Sequence, residues 1–281
     1  VTSVLLVHGA CILLVLLNLA VRTWRTQVIF FGLKHRVSFA DVAAANLAGD
    51  AAAALTPLRF GGLPAQIAFF QRIGTTPMTS IPVLLVESIL LYPVYAVLGA
   101  GLALSAGLEW IELLQNAGST ATKMTQYVGG LFIVGWLIVL IARRAAPGHS
   151  RMVGRSVRDG MQLVRGMGAA TALRTVPLTV VDVFTRLALL PLLASAVPNA
   201  PPSDVLAIAS FAMLYGQIAM PTPGGAGIVD LGLMGGMAGD LGNDAGEIVV
   251  WWRVYTAGLH IAAALPVVWW RLRNRTRPTH T

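Results

Sequence analysis

The chain has 281 residues, of which 56% are hydrophobic and only 11% charged, with a mean hydropathy of +0.72. A soluble domain carries about a quarter charged residues, so a soluble globular protein is all but excluded. The net charge of +8 would suggest nucleic acid in a soluble protein; here the arginines cluster at the ends of apolar runs and bear on topology and contact with anionic lipid, so no nucleic-acid partner is expected.

A membrane crossing needs about twenty apolar residues. The first candidate covers residues 4–21 and contains the single cysteine, Cys11, which removes disulfide frameworks and cysteine metal sites from consideration. No basic residue precedes this run, so no cleavable signal peptide is expected. Arg22, Arg25, Lys34 and Arg36 follow and read as a cytoplasmic loop by the positive-inside rule. Residues 37–55 are long enough to enter the membrane but end in the break Thr56-Pro57-Leu58-Arg59-Phe60-Gly61-Gly62, after which 64–73 forms a shorter helix with Arg72 at its mouth. Proline removes a backbone donor and glycine loosens the helix, so a bilayer tolerates such a break only where protein or a water-lined cavity takes over the freed groups.

The next span is 80–104, and the loop after it sets Glu109 and Glu112 against Lys123, which places it outside. A connector span over 127–141 leads to Arg143, Arg144, Arg151, Arg155, Arg158 and Arg165, again cytoplasmic. Within that stretch Arg151, Arg155 and Arg158 are spaced either for a basic amphipathic helix on the inner leaflet or for an ordinary positive-inside loop. Residues 176–196 form a further span. The stretch 204–220 then meets a second break, Pro221-Thr222-Pro223-Gly224-Gly225-Ala226-Gly227, followed by a short helix over 228–238. The acidic segment with Asp240, Asp244 and Glu247 lies outside, and the last span, 248–270, delivers Arg271, Arg273, Arg275 and Arg277 to the cytoplasm.

These sides agree with one another if each broken stretch enters and leaves on the same face. The expected fold is an all-α polytopic membrane protein, an inverted repeat with two re-entrant helical hairpins and about five full spans. The first repeat is 1–106 with hairpin 38–74, the connector and basic segment 107–168, the second repeat 169–271 with hairpin 204–240, and the tail 272–281. Paired interruptions in two halves point to a binding site near the midplane, where the tips meet. In the alternative topology each broken stretch crosses fully, at the cost of basic loops on both faces.

A charge at mid-bilayer costs about 2.5–3.5 kcal/mol, so each intramembrane ionisable residue needs a partner or a cavity. Arg59 sits inside the first break, and its guanidinium suits a headgroup phosphate because it donates a two-pronged fork; a structural pair with Glu87 or Asp50 is the competing role. Gly61, Gly62, Gly224, Gly225 and Gly227 would let an anion approach the backbone at the helix starts. Asp182 and Arg186 stand four apart on one span, the favourable order for an intrahelical pair, unless Arg186 faces the cavity. Asp230 suits a first helical turn or a pair with Arg253, which reaches toward the second hairpin or snorkels among Trp251, Trp252 and Tyr255 in an outer interfacial belt. Asp50 and Glu87 are ion-pair acids or proton carriers for coupled transport.

The run Val37-Ser38-Phe39, the first break, Glu87, and Pro223-Gly224-Gly225-Ala226-Gly227-Ile228-Val229-Asp230 resemble the transmembrane, flippase-type region of lysylphosphatidylglycerol synthases, a family that includes stand-alone membrane proteins. The similarity covers nearly the whole chain. It implies a bacterial inner-membrane protein that translocates or helps to translocate a modified phospholipid or similar lipid; the basic chain end already places its C-terminus in the cytoplasm. Where the family usually has an acid after the first Gly-Gly and an arginine soon after, this chain has Leu63 and Gln66; Glu87-Ser88 replaces Glu-Arg, and Asp230 replaces Glu.

Enzyme signatures are poor. His8, His35, His149, His260 and His280 form no ligand cluster, and the glycine motifs lack the lysine of a nucleotide loop, so neither metal, cofactor nor catalytic residue is expected. The expected function is a lipid flippase or transporter for an anionic phospholipid or polyprenyl-linked headgroup. The alternatives are a non-transporting lipid-binding subunit of a membrane complex, with an oligomer or partner subunit, and a membrane transferase on a lipid-linked substrate.

Overall fold

The computed structural model describes residues 2–57, 59–105, 169–197 and 244–275, with isolated positions between 162 and 230, and every regular element among them is a helix. The connector span 127–141, the basic segment with Arg151, and the second break with Gly224, Gly225 and Gly227 lie outside the described residues.

Helix α1 runs Thr2–Gly32. It extends well past the expected end of the first span. Arg22 and Arg25, expected in a cytoplasmic loop, are therefore interior to a helix and only 8% and 2% exposed. The helix continues through them because each finds a carboxylate on a neighbouring helix, which removes the cost that would otherwise end the span. Lys34 and Arg36, both exposed, remain as the basic pair after the helix.

Ser38 starts α2 (Phe39–Leu55): its hydroxyl oxygen accepts the Asp41 N–H at 3.1 Å and donates to Asp41 Oδ2 at 2.6 Å. Thr56 ends α2. Its hydroxyl donates to the Ala52 carbonyl at 2.7 Å and accepts the Gly61 N–H at 2.8 Å, folding the chain into the turn where the first break is written. Arg59 occupies that turn with φ +57°, in the left-handed region that ordinary side chains avoid. Helix α3 (Gly62–Arg72) then returns along α2, Gly62 lying against Ala53 and Gln66 against Asn46 and Gly49. A Cβ on Gly62 would stand 3.1 Å from the Ala53 Cβ and 3.2 Å from the Gly49 carbonyl, so any larger residue would have to push the two arms apart by a few tenths of an ångström. At the far end Gly74, φ +94°, reverses the chain, and the Thr75 N–H reaches the Phe70 carbonyl at 2.9 Å.

Helix α4 spans Pro77–Ser105. After the undescribed stretch come α5 (Ala169–Leu187) and α6 (Leu189–Ala194). The last rod is α7 (Asp244–Arg253), a π turn (Val254–Gly258) and α8 (Leu259–Arg275).

Side-chain pairs fix the relative directions. Thr26 meets Glu87 and His35 meets Thr79, so α1 and α4 are antiparallel. Asn18 meets Thr185 while Gly32 backs onto Thr171, so α1 and α5 are antiparallel. Asp50 faces His260 and Asp41 faces Arg271, so α2 opposes α8, and α8 runs with α1. Both α2 and α3 open toward the end that holds Lys34 and Arg271, and their turn lies level with the middle of α1.

Burial is inverted relative to a soluble protein. Leu6 and Leu13 of α1 are 70% and 68% exposed, whereas Asp182 and Asn46 are fully buried. Lipid is the solvent for which that arrangement is stable. Three described segments, Val4–Gly32, Leu173–Ala194 and Asp244–Arg271, are long and apolar enough to cross a bilayer. The chain is a multi-pass membrane protein.

The expected aromatic belt is corrected in part. Trp251 is exposed, but Trp252 of α7 and Tyr255 of the π turn are buried with Leu190, Leu193 and Cys11 in an apolar core.

Candidate functional site

Two apolar cores lie along α1, one with Cys11, Leu190 and Trp252, the other with Phe30, Phe70 and Val83. Between them is a polar layer. Asn18, Arg22, Arg25 and Thr26 recur at the three- and four-residue steps that put side chains on one helical face, and all four are buried.

Asp182 of α5 is the acceptor at the centre of this layer. It takes hydrogen bonds from Asn18 Nδ2 at 2.8 Å, Arg25 Nη1 at 2.7 Å and Arg186 Nε at 2.9 Å. Arg25 also faces Glu87 of α4 at 3.6 Å, and Glu87 accepts a hydrogen bond from the Thr26 hydroxyl. Arg22 binds Asp50 of α2 at 2.6 Å, and the His260 Nε2 stands 3.8 Å from the same carboxylate oxygen. Helices α1, α4 and α5 and the hairpin are thereby joined through charge, with His260 of α8 beside them. Burial at this cost is tolerable only because each carboxylate has guanidinium partners.

The layer opens into a cavity of about 60 Å³ lined by Asn18, Arg22, Asp50, Arg59, Thr185 and Arg186, with Tyr255, Thr256 and His260 on the last rod and Leu14, Val15, Leu189 and Leu214 as its apolar wall. Among the described residues, Arg22, Arg59 and Arg186 line the cavity with one carboxylate, Asp50. Counting the second row, four guanidinium groups and three carboxylates meet here among the described residues. An anion is the guest such a cavity favours.

The structure brings together four sequence-predicted residues, Arg59, Asp50, Arg186 and Asp182, the last just behind the cavity wall. The expected Asp182–Arg186 pair is present, and Arg186 faces the cavity as well. Asp50 and Glu87, weighed as partners for Arg59, are engaged by Arg22 and Arg25. Gly61 and Gly62 serve the hairpin: their N–H groups go to Thr56 Oγ1 at 2.8 Å and to the Arg59 carbonyl at 3.2 Å. Asp230 and Arg253 pair at 2.8 Å, with Arg253 also over the Trp252 ring, and neither lines the cavity. Arg22, Arg25, Asn18 and His260 were missed by sequence reasoning; the 18, 22, 25 spacing is the signal that places the first three on one face.

A family model described as the lysylphosphatidylglycerol synthase TM region matches residues 2–274. The chain belongs to that family. No curated protein and no solved structure matches it. The match takes in the hairpin, the polar layer and the last rod, so the arginine-lined cavity falls wholly within the synthase-type transmembrane region.

Proposed function

We propose that this member of the lysylphosphatidylglycerol synthase transmembrane family moves an anionic phospholipid or lipid-linked headgroup across the cytoplasmic membrane. The observation that carries the reading is the cavity at mid-depth, where Arg22, Arg59 and Arg186 converge inside a bundle with an apolar exterior. A phosphate there would be gripped by guanidinium forks while its acyl or prenyl chains stay in the bilayer.

The α2–α3 hairpin supports a re-entrant element: both helices open to one end, the turn lies near the middle of α1, and an 11-residue α3 of about 16 Å is too short to span. The shared direction of α1 and α8, opposed to α4 and α5, is what an inverted repeat requires of its outer and inner spans. Alternating exposure of the cavity would then carry the headgroup from one face to the other.

The test is flipping of a fluorescent phosphatidylglycerol in vesicles containing the purified protein. Arg59→Ala is expected to abolish flipping with the protein still folded, and Arg59→Lys to restore only part, because an ammonium lacks the fork. Unchanged flipping in Arg59→Ala would refute the site. Wild-type binding without flipping would instead identify a non-transporting lipid-binding subunit.

A further inference from the structure

His260 is a titratable cavity-lining group that the headgroup site does not use. It lies two residues into α8, just past the π turn, the kind of helix irregularity that concentrates at functional sites. Its Nδ1 is buried without a hydrogen-bond partner among the described residues, and its Nε2 is 3.8 Å from Asp50 Oδ2, beyond hydrogen-bond reach. A neutral imidazole offers one donor and one acceptor, and neither finds a close partner in this arrangement.

The charges around the ring oppose one another. Asp50 on α2 favours the imidazolium, while Arg22 on α1, Arg186 on α5 and Arg59 at the hairpin turn disfavour it; Tyr255, on the π turn, presents a neutral hydroxyl. Asp50 is already committed to Arg22 at 2.6 Å. An anion entering beside Arg59 and Arg186 cancels that repulsion.

We infer that His260 is a proton-binding site linked to the headgroup cavity: the ring takes a proton from water as the anion enters and returns it when the anion leaves. This rests on the lipid-handling function proposed above and names the co-ligand of the same cavity. Protonation makes both ring nitrogens donors, so Nε2–H can close on Asp50 Oδ2 and share that carboxylate with Arg22, which frees one fork of Arg22 for the guest. Linkage is reciprocal, so protons tighten anion binding by the factor that the anion tightens proton binding. The species accommodated is then a headgroup plus one proton.

The experiment uses the full chain in phosphatidylcholine nanodiscs, titrated with fluorescent phosphatidylglycerol across pH, with calorimetry in buffers of different ionisation heat to count protons taken up. Wild type is expected to bind more tightly as pH falls, by at most about tenfold per pH unit, with uptake of up to one proton per lipid. His260→Gln is expected to lose the uptake and the slope, and His35→Gln, at the exposed end of α1, to keep both. Nitrogen-15 histidine spectra of the wild type provide a reading that needs no variant: lipid added at constant pH should convert the His260 ring from neutral to protonated. Equal affinity at every pH, or uptake that survives His260→Gln, overturns the proton site and leaves the headgroup site standing. Absence of lipid binding at every pH overturns both.

Discussion

Arg22 of α1 and Asp50 of α2 meet at 2.6 Å in the interior of the bundle and tie the hairpin to the first span. Deleting either partner strands a buried charge, which costs about 3–5 kcal/mol. Asp50→Leu and Arg22→Met are each expected to lower the unfolding midpoint in detergent sharply. The double variant is expected to recover most of that loss, since a buried pair replaced by apolar side chains is often neutral. Lipid flipping should not recover with it, because two cavity-lining groups are gone. Equal destabilisation in single and double variants would show that the pair does not act as one unit.

Much of this architecture was legible because helix breaks and apolar runs are local signals. Thr56-Pro57 and Gly61-Gly62 announce a break, and the observed α2 and α3 fall within two residues of the expected bounds. Asp182–Arg186 was legible for the same reason, being four residues apart on one helix. Arg22 and Arg25 were misread because their partners, Asp50, Glu87 and Asp182, are supplied by helices far away in sequence, and positive-inside reasoning assigns arginines after an apolar run to a loop. His260 was passed over for a similar reason: nothing near it in sequence announces Asp50.

Arg59 pays a backbone strain for its place in the hairpin turn, with φ +57°. Glycine adopts that conformation freely, so Arg59→Gly is expected to be more stable than Arg59→Ala by about 1 kcal/mol. Both variants lack the guanidinium and should be equally inactive in flipping. Thermal unfolding beside the vesicle assay separates the two effects, and a Gly variant with wild-type flipping would mean that the turn conformation, not the cation, is what Arg59 supplies.

Gly49 faces Gln66 so closely that a Cβ would stand 2.4 Å from its Cγ. Gly49→Ala is expected to destabilise the hairpin by about 1–3 kcal/mol through overpacking. Adding Gln66→Ala should return part of that loss, although it removes the Asn46–Gln66 hydrogen bond of 3.3 Å. A double-mutant cycle on unfolding midpoints measures the coupling, and additive losses would mean that the two side chains do not collide.

Asp182 accepts from Asn18, Arg25 and Arg186, whereas Glu87 accepts from Thr26 and, among the described residues, faces the one cation Arg25, at 3.6 Å. Asp182→Asn keeps the shape but leaves two guanidinium groups with less negative charge, so it should cost more stability than Glu87→Gln, with about 3 kcal/mol as the scale of a broken buried pair. Matched unfolding curves of the two variants decide the ranking.

The hairpin places Arg36 before α2 and Arg72 at the end of α3 at the same end of the bundle as Arg273, with Asp244 at the opposite end of the last rod. All four side chains are exposed, and the native Cys11 is buried, so single cysteines at these positions can be read by an impermeant maleimide on intact and opened vesicles. Arg36→Cys, Arg72→Cys and Arg273→Cys are expected to react from one face and Asp244→Cys from the other. A full crossing by either arm of the hairpin would move Arg72 to the Asp244 side, and with it the turn that carries Arg59 would leave the midplane, so labelling of Arg72→Cys together with Asp244→Cys would remove the re-entrant element on which the transport proposal depends.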